Sequence, residues 1–171
     1  MAELAVTAVG ADRPGIVAAV AEVLRERGGN VEDSAMTILG GHFAIVLIVA
    51  SDDTPEDLRE ALLAATSELG LTISVSRADG SRGAIEPTHL LSVYGADQPG
   101  ILAGVSRALA DVGANVTDLE TRVLGADTEP VYAMVVEVVC DAGEALASAL
   151  ATVCEDLGVD HTLRTIDAQT Y

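Results

Sequence analysis

The sequence contains no lysine and no tryptophan, and its only aromatic residues are three tyrosines and one phenylalanine. All nine basic residues are arginine and stand against 27 acidic ones, so the formal net charge is −18. Proteins that bind nucleic acid directly need clustered cations for the phosphates and aromatic rings for stacking on bases. The composition therefore argues against direct nucleic-acid binding, and the same charge opposes adsorption to anionic membrane surfaces.

Residues suited to catalysis or metal binding are few and scattered. Neither Cys140 nor Cys154 belongs to a C-x-x-C pair, and both are predicted to be buried as small hydrophobic residues. His42, His89 and His161 lie in unrelated segments, without cysteine or carboxylate at metal-ligand spacing. Because no lysine, nucleophile motif or nucleotide-binding glycine pattern is present either, we predict no enzyme activity, no cofactor and no metal site.

Targeting and membrane signals are also missing. Acidic Glu3 stands where a signal peptide would carry basic residues, and the apolar run 43–50 is far too short to span a bilayer. These features predict a soluble cytoplasmic protein.

One heptapeptide pattern, Gly-Ala-Asp-x-Pro-Gly-Ile, is present twice, at 10–16 and 95–101. In each copy an Asn-Val pair follows fifteen residues after the second glycine, at Asn30-Val31 and Asn115-Val116. When residues 10–36 are aligned with residues 95–121, 13 of the 27 positions are identical. A repeat of this length indicates two related units.

Each copy of the pattern follows a short apolar run and precedes apolar residues at helical spacing, which predicts strand, turn and helix. Continuing along the chain, the order in both units is βαββαβ, a ferredoxin-like α+β arrangement. We predict a first domain at 1–78, a Gly- and Ser-containing linker at 79–87 and a second domain at 88–171.

Local signals predict where several elements begin and end. The first helix of each unit is expected to begin at its proline, Pro14 or Pro99. Thr54 followed by Pro55 predicts the start of the next helix. Gly40-Gly41 predicts a two-residue hairpin.

With this pattern in place, the chain resembles a tandem pair of ACT domains, small βαββαβ modules that bind amino acids and regulate enzymes or transcription. The residues that carry the resemblance are the two turns together with Gly28, Gly113 and the two Asn-Val pairs. Over its whole length the chain is similar to the glycine cleavage system transcriptional repressor family. The first unit also resembles the N-terminal domain of formyltetrahydrofolate deformylase, whose catalytic domain has no counterpart in this sequence.

The resemblance and the turn chemistry together give a candidate ligand site. A helix N-terminus offers free N–H groups and partial positive charge to a carboxylate, and an Asn amide can both donate and accept. The candidate residues of the first unit are Asp12, Arg13, Pro14, Gly15, Ile16, Asn30 and Val31. Those of the second unit are Asp97, Gln98, Pro99, Gly100, Ile101, Asn115 and Val116.

Alternatives remain open at these positions. Asp12 and Asp97 could pair with an ammonium group or cap their own helices, and Asp-x-Pro-Gly is good turn chemistry without any ligand. Arg13 against Gln98 is the main difference between the repeats, so the two sites need not be equivalent.

The run 43–50 is apolar at every position, whereas a sheet with one open face should alternate. We therefore expect extensive burial of the second face or an edge of the sheet, covered by the partner unit, a second chain or the linker, and most simply in a homo-oligomer.

The leading hypothesis is a sensor for a small amino acid, glycine or serine, that acts on a protein partner such as a transcription factor or a metabolic enzyme. The alternatives are a constitutive interaction module and a detached regulatory subunit of an enzyme.

Overall fold

A computed structural model describes residues 1–78, 85–125 and 130–166 of the chain. The chain divides into two compact units, Met1–Ser81 and Arg82–Tyr171. Most of the predicted linker, residues 79–84, lies outside the described residues, and so does the tip of the second hairpin at 126–129. The exact domain boundaries therefore stay predictions.

The first unit has the predicted order βαββαβ. Its elements are β1 Ala2–Ala11, α1 Ile16–Glu26, β2 Asn30–Leu39, β3 His42–Ser51, α2 Pro55–Ala65 and β4 Thr72–Arg77, with a short 3-10 turn at Ser67–Leu69 before β4. The second unit repeats the order. Its elements are β5 His89–Ala96, α3 Ile101–Asp111, β6 Asn115–Leu124, β7 Val131–Val139, α4 Gly143–Leu157 and β8 Asp160–Thr165.

Each unit contains one four-stranded antiparallel sheet, ordered β2-β3-β1-β4 in the first unit and β6-β7-β5-β8 in the second. Since β1 and β2 both pair antiparallel with β3, they run in the same direction, and α1 carries the chain back along the sheet between them. The predicted fold class, α+β with two ferredoxin-like units, is confirmed.

The core of each unit lies between the sheet and its two helices. Along β3 the side chains of Phe43, Ile45 and Leu47 are buried towards α1 and α2, whereas Val46 between them is 47% exposed. The side of each sheet turned away from its helices is called the outer face below. From Phe43 to Val49 the apolar run thus still alternates in burial, although Ala50 after it is also buried. For most of the outer face, the unit itself does not supply the predicted cover.

The strands at one edge, β2 and β6, are exposed at all ten of their positions. Each pairs with one neighbour only, so one row of its main-chain groups faces away from the sheet. Both edges and both outer faces are therefore available for contacts outside their own unit.

The predicted start of the first helix at proline is wrong in both units. The helices begin at Ile16 and Ile101, after glycines with φ of 94° at Gly15 and 102° at Gly100. This left-handed backbone is one that glycine adopts without a steric penalty, so the proline belongs to the turn before it. Gly40 and Gly41, with φ of 57° and 79°, form the predicted hairpin.

The start of α2 is as predicted. Thr54 is the N-cap, its Oγ1 accepts a hydrogen bond from the N–H of Asp57 at 3.2 Å, and Pro55 is the first helical residue. Among the described residues, no helix has both the length and the apolar character that crossing a bilayer would require.

We expect Thr54→Ala to lower the unfolding free energy of the first unit by about 1 kcal/mol, because the Asp57 N–H loses its acceptor. Chemical denaturation followed by circular dichroism measures the change. Thr54→Ser is the control: it keeps a hydroxyl at the cap and should stay within a few tenths of a kcal/mol of the parent, roughly the spread among good caps. Equal losses in both variants would contradict the capping role.

Candidate ligand-binding turn

The turn between the first strand and first helix is fixed to the hairpin end of each sheet. Ala11, the last residue of β1, pairs with His42 at the start of β3. The N–H of Asp12 then donates to the carbonyl of Gly41 at 2.9 Å. In the second unit the N–H of Asp97 donates to the carbonyl of Pro130 at 3.2 Å. The turn backbone is therefore held in the same way twice.

The turn also packs closely against the chain that follows the second helix. A Cβ added at Gly10 would lie 2.7 Å from Cδ2 of Leu71, and one added at Gly95 would lie 2.8 Å from Cγ1 of Val159. Both distances are shorter than van der Waals contact. At Gly95 the backbone Cα of Val159 is also only 3.2 Å away, so a side chain there would displace backbone, whereas at Gly10 the end of the Leu71 side chain would have to shift. The sequence pattern included these glycines, but their partners come from much further along the chain.

Arg13 and Gln98 have the same structural role, although they differ in chemistry. The Nη1 of Arg13 donates to the carbonyl of Glu68 at 3.4 Å, and the Nε2 of Gln98 donates to the carbonyl of Leu157 at 2.5 Å. Each carbonyl lies in the last turn before the glycine that ends its helical segment, Gly70 or Gly158. The two repeats therefore have different residues at this position but make the same hydrogen bond.

The first helix of each unit has no side-chain cap. The carbonyls of Gly15 and Gly100 accept the first helical hydrogen bonds, from Ala19 and Gly104. Within the described parts of the chain, no side chain caps the earlier N–H groups of either helix. The suggestion that Asp12 and Asp97 cap their own helices is thus wrong. The first-turn N–H groups have no intrahelical acceptor and sit at the positive end of the helix dipole.

Space is available beside the glycine that precedes each helix. Among the described residues, no heavy atom lies within 4 Å of where a Cβ would stand on Gly15 or Gly100. Asp12, Arg13 and Pro14 are exposed, as are their counterparts Asp97, Gln98 and Pro99. A small ligand could therefore approach each turn at its αL glycine without meeting a described protein atom.

Two residues of each candidate set have a different position. Ile16 and Ile101 are 1% exposed and belong to the hydrophobic cores, so their side chains anchor the helix and do not face the turn's open side. Val31 and Val116 are 42% and 40% exposed and pair with buried residues of the neighbouring strand.

Asn30 lies at the opposite end of the sheet from the turn. It pairs with Ala50, which pairs with Glu3 near the start of β1. The strand from Asn30 to Leu39 has ten residues, so about 30 Å separate Asn30 from the end where the turn lies. Asn115 is placed in the same way by its pairing with Val139. Within one unit, the structure does not bring the Asn and the turn together.

Tyr132 is a residue of the second turn region that the sequence pattern did not identify. It pairs with Gly95, and burial, followed by the nearby charge of Asp97, raises its pKa above the usual value of 10.0. Its counterpart in the first unit is Phe43, which pairs with Gly10 and has no hydroxyl. The two turns therefore differ here more than at Arg13 and Gln98.

The remaining polar and sulfur side chains form no site of their own. Cys140 and Cys154 are buried, as predicted, and burial raises the pKa of the Cys154 thiol. Among residues 1–78, 85–125 and 130–166, no group of three His, Cys, Asp or Glu side chains could hold a metal ion.

Two ferredoxin-like units in tandem, each with an uncapped helix after a left-handed glycine, define the class of protein. Family models for the ACT domain match residues 3–76 and 89–150. The chain thus belongs to the ACT-domain family and carries two ACT domains.

Similar proteins come from several organisms. The chain is 43% identical over 82 residues to a UPF0237 protein of Methanopyrus kandleri, a match that covers 46% of this chain and 91% of that one. It is 29% identical over 128 residues to the glycine cleavage system transcriptional repressor of Escherichia coli, covering 74% of this chain and 67% of the repressor. A crystal structure of an unknown protein from Galdieria sulphuraria matches with a TM-score of 0.84 and 32% identity, over 96% of this chain and 98% of that one.

We expect Gln98→Ala to destabilise the second unit by about 1 kcal/mol, because the Leu157 carbonyl loses a donor. Gln98→Arg should be tolerated, since Arg13 makes the equivalent contact in the first unit. Thermal and chemical unfolding measure both variants. A Gln98→Arg protein as unstable as Gln98→Ala would contradict the equivalence of the two side chains.

Proposed function

We propose that this protein is an amino-acid sensor that regulates a protein partner in the cytoplasm. The observation that carries the proposal is the uncapped first turn of α1 and α3, which in both units follows a glycine with open space around its Cβ position and an exposed aspartate three residues earlier. Membership of the ACT-domain family and the relation to a transcriptional repressor support it.

The turn chemistry suits a zwitterion. The carboxylate of an amino acid would accept hydrogen bonds from the N–H groups of the first helical turn, where the helix dipole favours negative charge. Its ammonium group would pair with Asp12 or Asp97, which lie three residues before the αL glycine. Neither carboxylate is used for capping, so both are available for this contact.

A small ligand, glycine or serine, is the proposed choice. Support comes from the relative whose name links it to the glycine cleavage system. The second turn would bind with an extra polar neighbour, the Tyr132 phenol near Asp97, so the two sites are expected to differ in affinity.

Asn30 and Asn115 can contribute to such a site only at the turn of another unit, because each lies at the far end of its own sheet. Both are the first residues of exposed edge strands, where another chain could approach. Under this proposal, Asn30→Ala and Asn115→Ala weaken ligand binding only where the edge strand of one unit meets the turn of another.

The output would be a changed contact with a protein. Since a net charge of −18 opposes direct contact with DNA, any effect on transcription would pass through a DNA-binding partner. Two other readings remain distinguishable. A constitutive interaction module would bind its partner equally well with and without amino acids, and the Asn30→Ala and Asn115→Ala variants would bind it as well as the parent. A detached regulatory subunit would co-purify with a metabolic enzyme.

Titration of the purified protein with each of the twenty amino acids tests the proposal, by calorimetry and by thermal shift. We expect a response to glycine or serine and none to ethylamine or acetate, which each carry one of the two charged groups. No response to any amino acid would contradict the sensor function.

Variants locate the response. Asp12→Asn with Asp97→Asn removes both proposed ammonium partners while keeping the backbone contacts of the turn, so the amino-acid response should fall about tenfold or more, as for loss of a charged hydrogen bond. Glu60→Gln with Glu155→Gln is the matched control, because it removes two exposed acids on helices α2 and α4. An equal loss of binding in both double variants would mean that the lower net charge, and not the loss of the turn aspartates, weakens binding.

A further inference from the structure

An open groove runs between helices α3 and α4 of the second unit and has a volume of about 650 Å³. A Cβ added at Gly104 would lie 3.0 Å from Cδ1 of Leu157 and 3.4 Å from Cγ2 of Val153, so the start of α3 packs closely on the end of α4. The groove extends from this contact along both helices. Its floor is formed by uncharged and mostly small residues, Gly104, Ala108, Ala145, Ser148, Ala149 and Thr152.

The first unit carries charge at two of these floor positions. Counted from the glycines that end the second helical segments, Gly70 and Gly158, the equivalents of Ala145 and Ser148 are Asp57 and Glu60. Both acids are exposed on α2. The fold therefore tolerates charge at these positions, and the uncharged floor is a property of the second unit alone.

Acidic side chains surround the uncharged floor. Asp111 and Asp156 line the groove, one near the end of each helix, and exposed Glu144 and Glu155 adjoin the lining residues on α4. One cation, Arg107, also lines the groove, and its Nε lies 3.0 Å from Oδ1 of Asp111. Depletion of charge at the centre with charged residues at the rim is the composition of a protein interface.

We propose that this groove binds one amphipathic helix of a protein partner, with small or apolar residues on one face and Lys or Arg beside them. Small residues let helix backbones approach closely, so a third helix can lie along α3 and α4. With 15 residues, α4 is about 22 Å long, which matches about four turns of a partner helix. The cations beside the apolar face would meet the acids of the rim.

Charge favours a cationic helix over a second copy of this chain as the occupant. Two chains of −18 repel each other, and pairing through the groove would bring their acidic rims together. A cationic helix is instead attracted from a distance by the whole chain and on contact by the rim. The proposal rests on the proposed function in naming where its protein partner docks, but docking itself requires no amino acid.

Fluorescence anisotropy of a labelled peptide of about 18 residues, added to the full chain without amino acids at physiological salt, tests the proposal. The peptide has Leu and Ala on one helical face and Lys on the other. A second peptide has the same composition in scrambled order and no apolar face, so it reports general attraction to a chain of −18. We expect the scrambled peptide to bind about tenfold more weakly or less, because it cannot fill the groove.

Thr152→Arg should weaken binding of the amphipathic peptide about tenfold or more, because a large cation would stand on the groove floor. Thr152 is exposed, and its hydroxyl donates within its own helix, to the Ser148 carbonyl at 3.1 Å. Ala64→Arg is the matched control: it makes the same charge change at the equivalent exposed position of α2, and binding should stay within about twofold of the parent.

Ser148→Arg provides a second variant in case Thr152→Arg fails to fold, and circular dichroism confirms folding in each case. No binding of the amphipathic peptide by the parent, equal binding of the scrambled peptide, or an equal loss in Ala64→Arg would each overturn the proposal. A parent dimer that Thr152→Arg dissociates, measured by light scattering, would do so too, because a second copy would then occupy the groove.

The amino-acid titration separates this proposal from the sensor function. Peptide binding that meets these expectations in a protein that responds to no amino acid would support the docking surface and contradict the sensor. A response to amino acids without peptide binding would overturn the docking surface and leave the sensor supported.

Discussion

The left-handed backbone at Gly15 and Gly100 is the constraint on which the rest of each unit depends. It lets the chain leave the first strand, pass through proline and enter the helix without a side-chain cap. The same turn is held by a main-chain hydrogen bond to the hairpin and by a side-chain hydrogen bond to the end of the second helix. Three elements that are distant in sequence thus meet at one end of the sheet, and among the described residues their junction supplies no side-chain cap to the helix N–H groups.

Much of the fold could be predicted from the sequence, because its elements depend on local chemistry. Thr54-Pro55 and Gly40-Gly41 each specify a cap or a turn within a few residues, and the structure has both. The helix start at Pro14 was predicted wrongly because proline suits the first helical position in general. The following glycine has a positive φ, and that conformation depends on where the helix must begin to pack its Ile16 into the core.

The candidate site was predictable only in part. The turn is a local feature, whereas the contacts of Arg13 and Gln98 join residues 55 and 59 positions apart, which no local pattern contains. The separation of Asn30 from the turn follows from topology: the strands before and after α1 run in the same direction, so the start of the second lies at the opposite end from the finish of the first. A fifteen-residue spacing in the sequence therefore indicates the length of a crossover and not a shared pocket.

The difference between Phe43 and Tyr132 has a consequence for spectroscopy. The chain has no tryptophan, and its three tyrosines, Tyr94, Tyr132 and Tyr171, all belong to the second unit. Ultraviolet emission from this protein therefore originates in one of its two ACT domains. Tyr132 is a fluorophore beside the second turn. The first turn has Phe43 at the same position, which emits almost no light at tyrosine wavelengths.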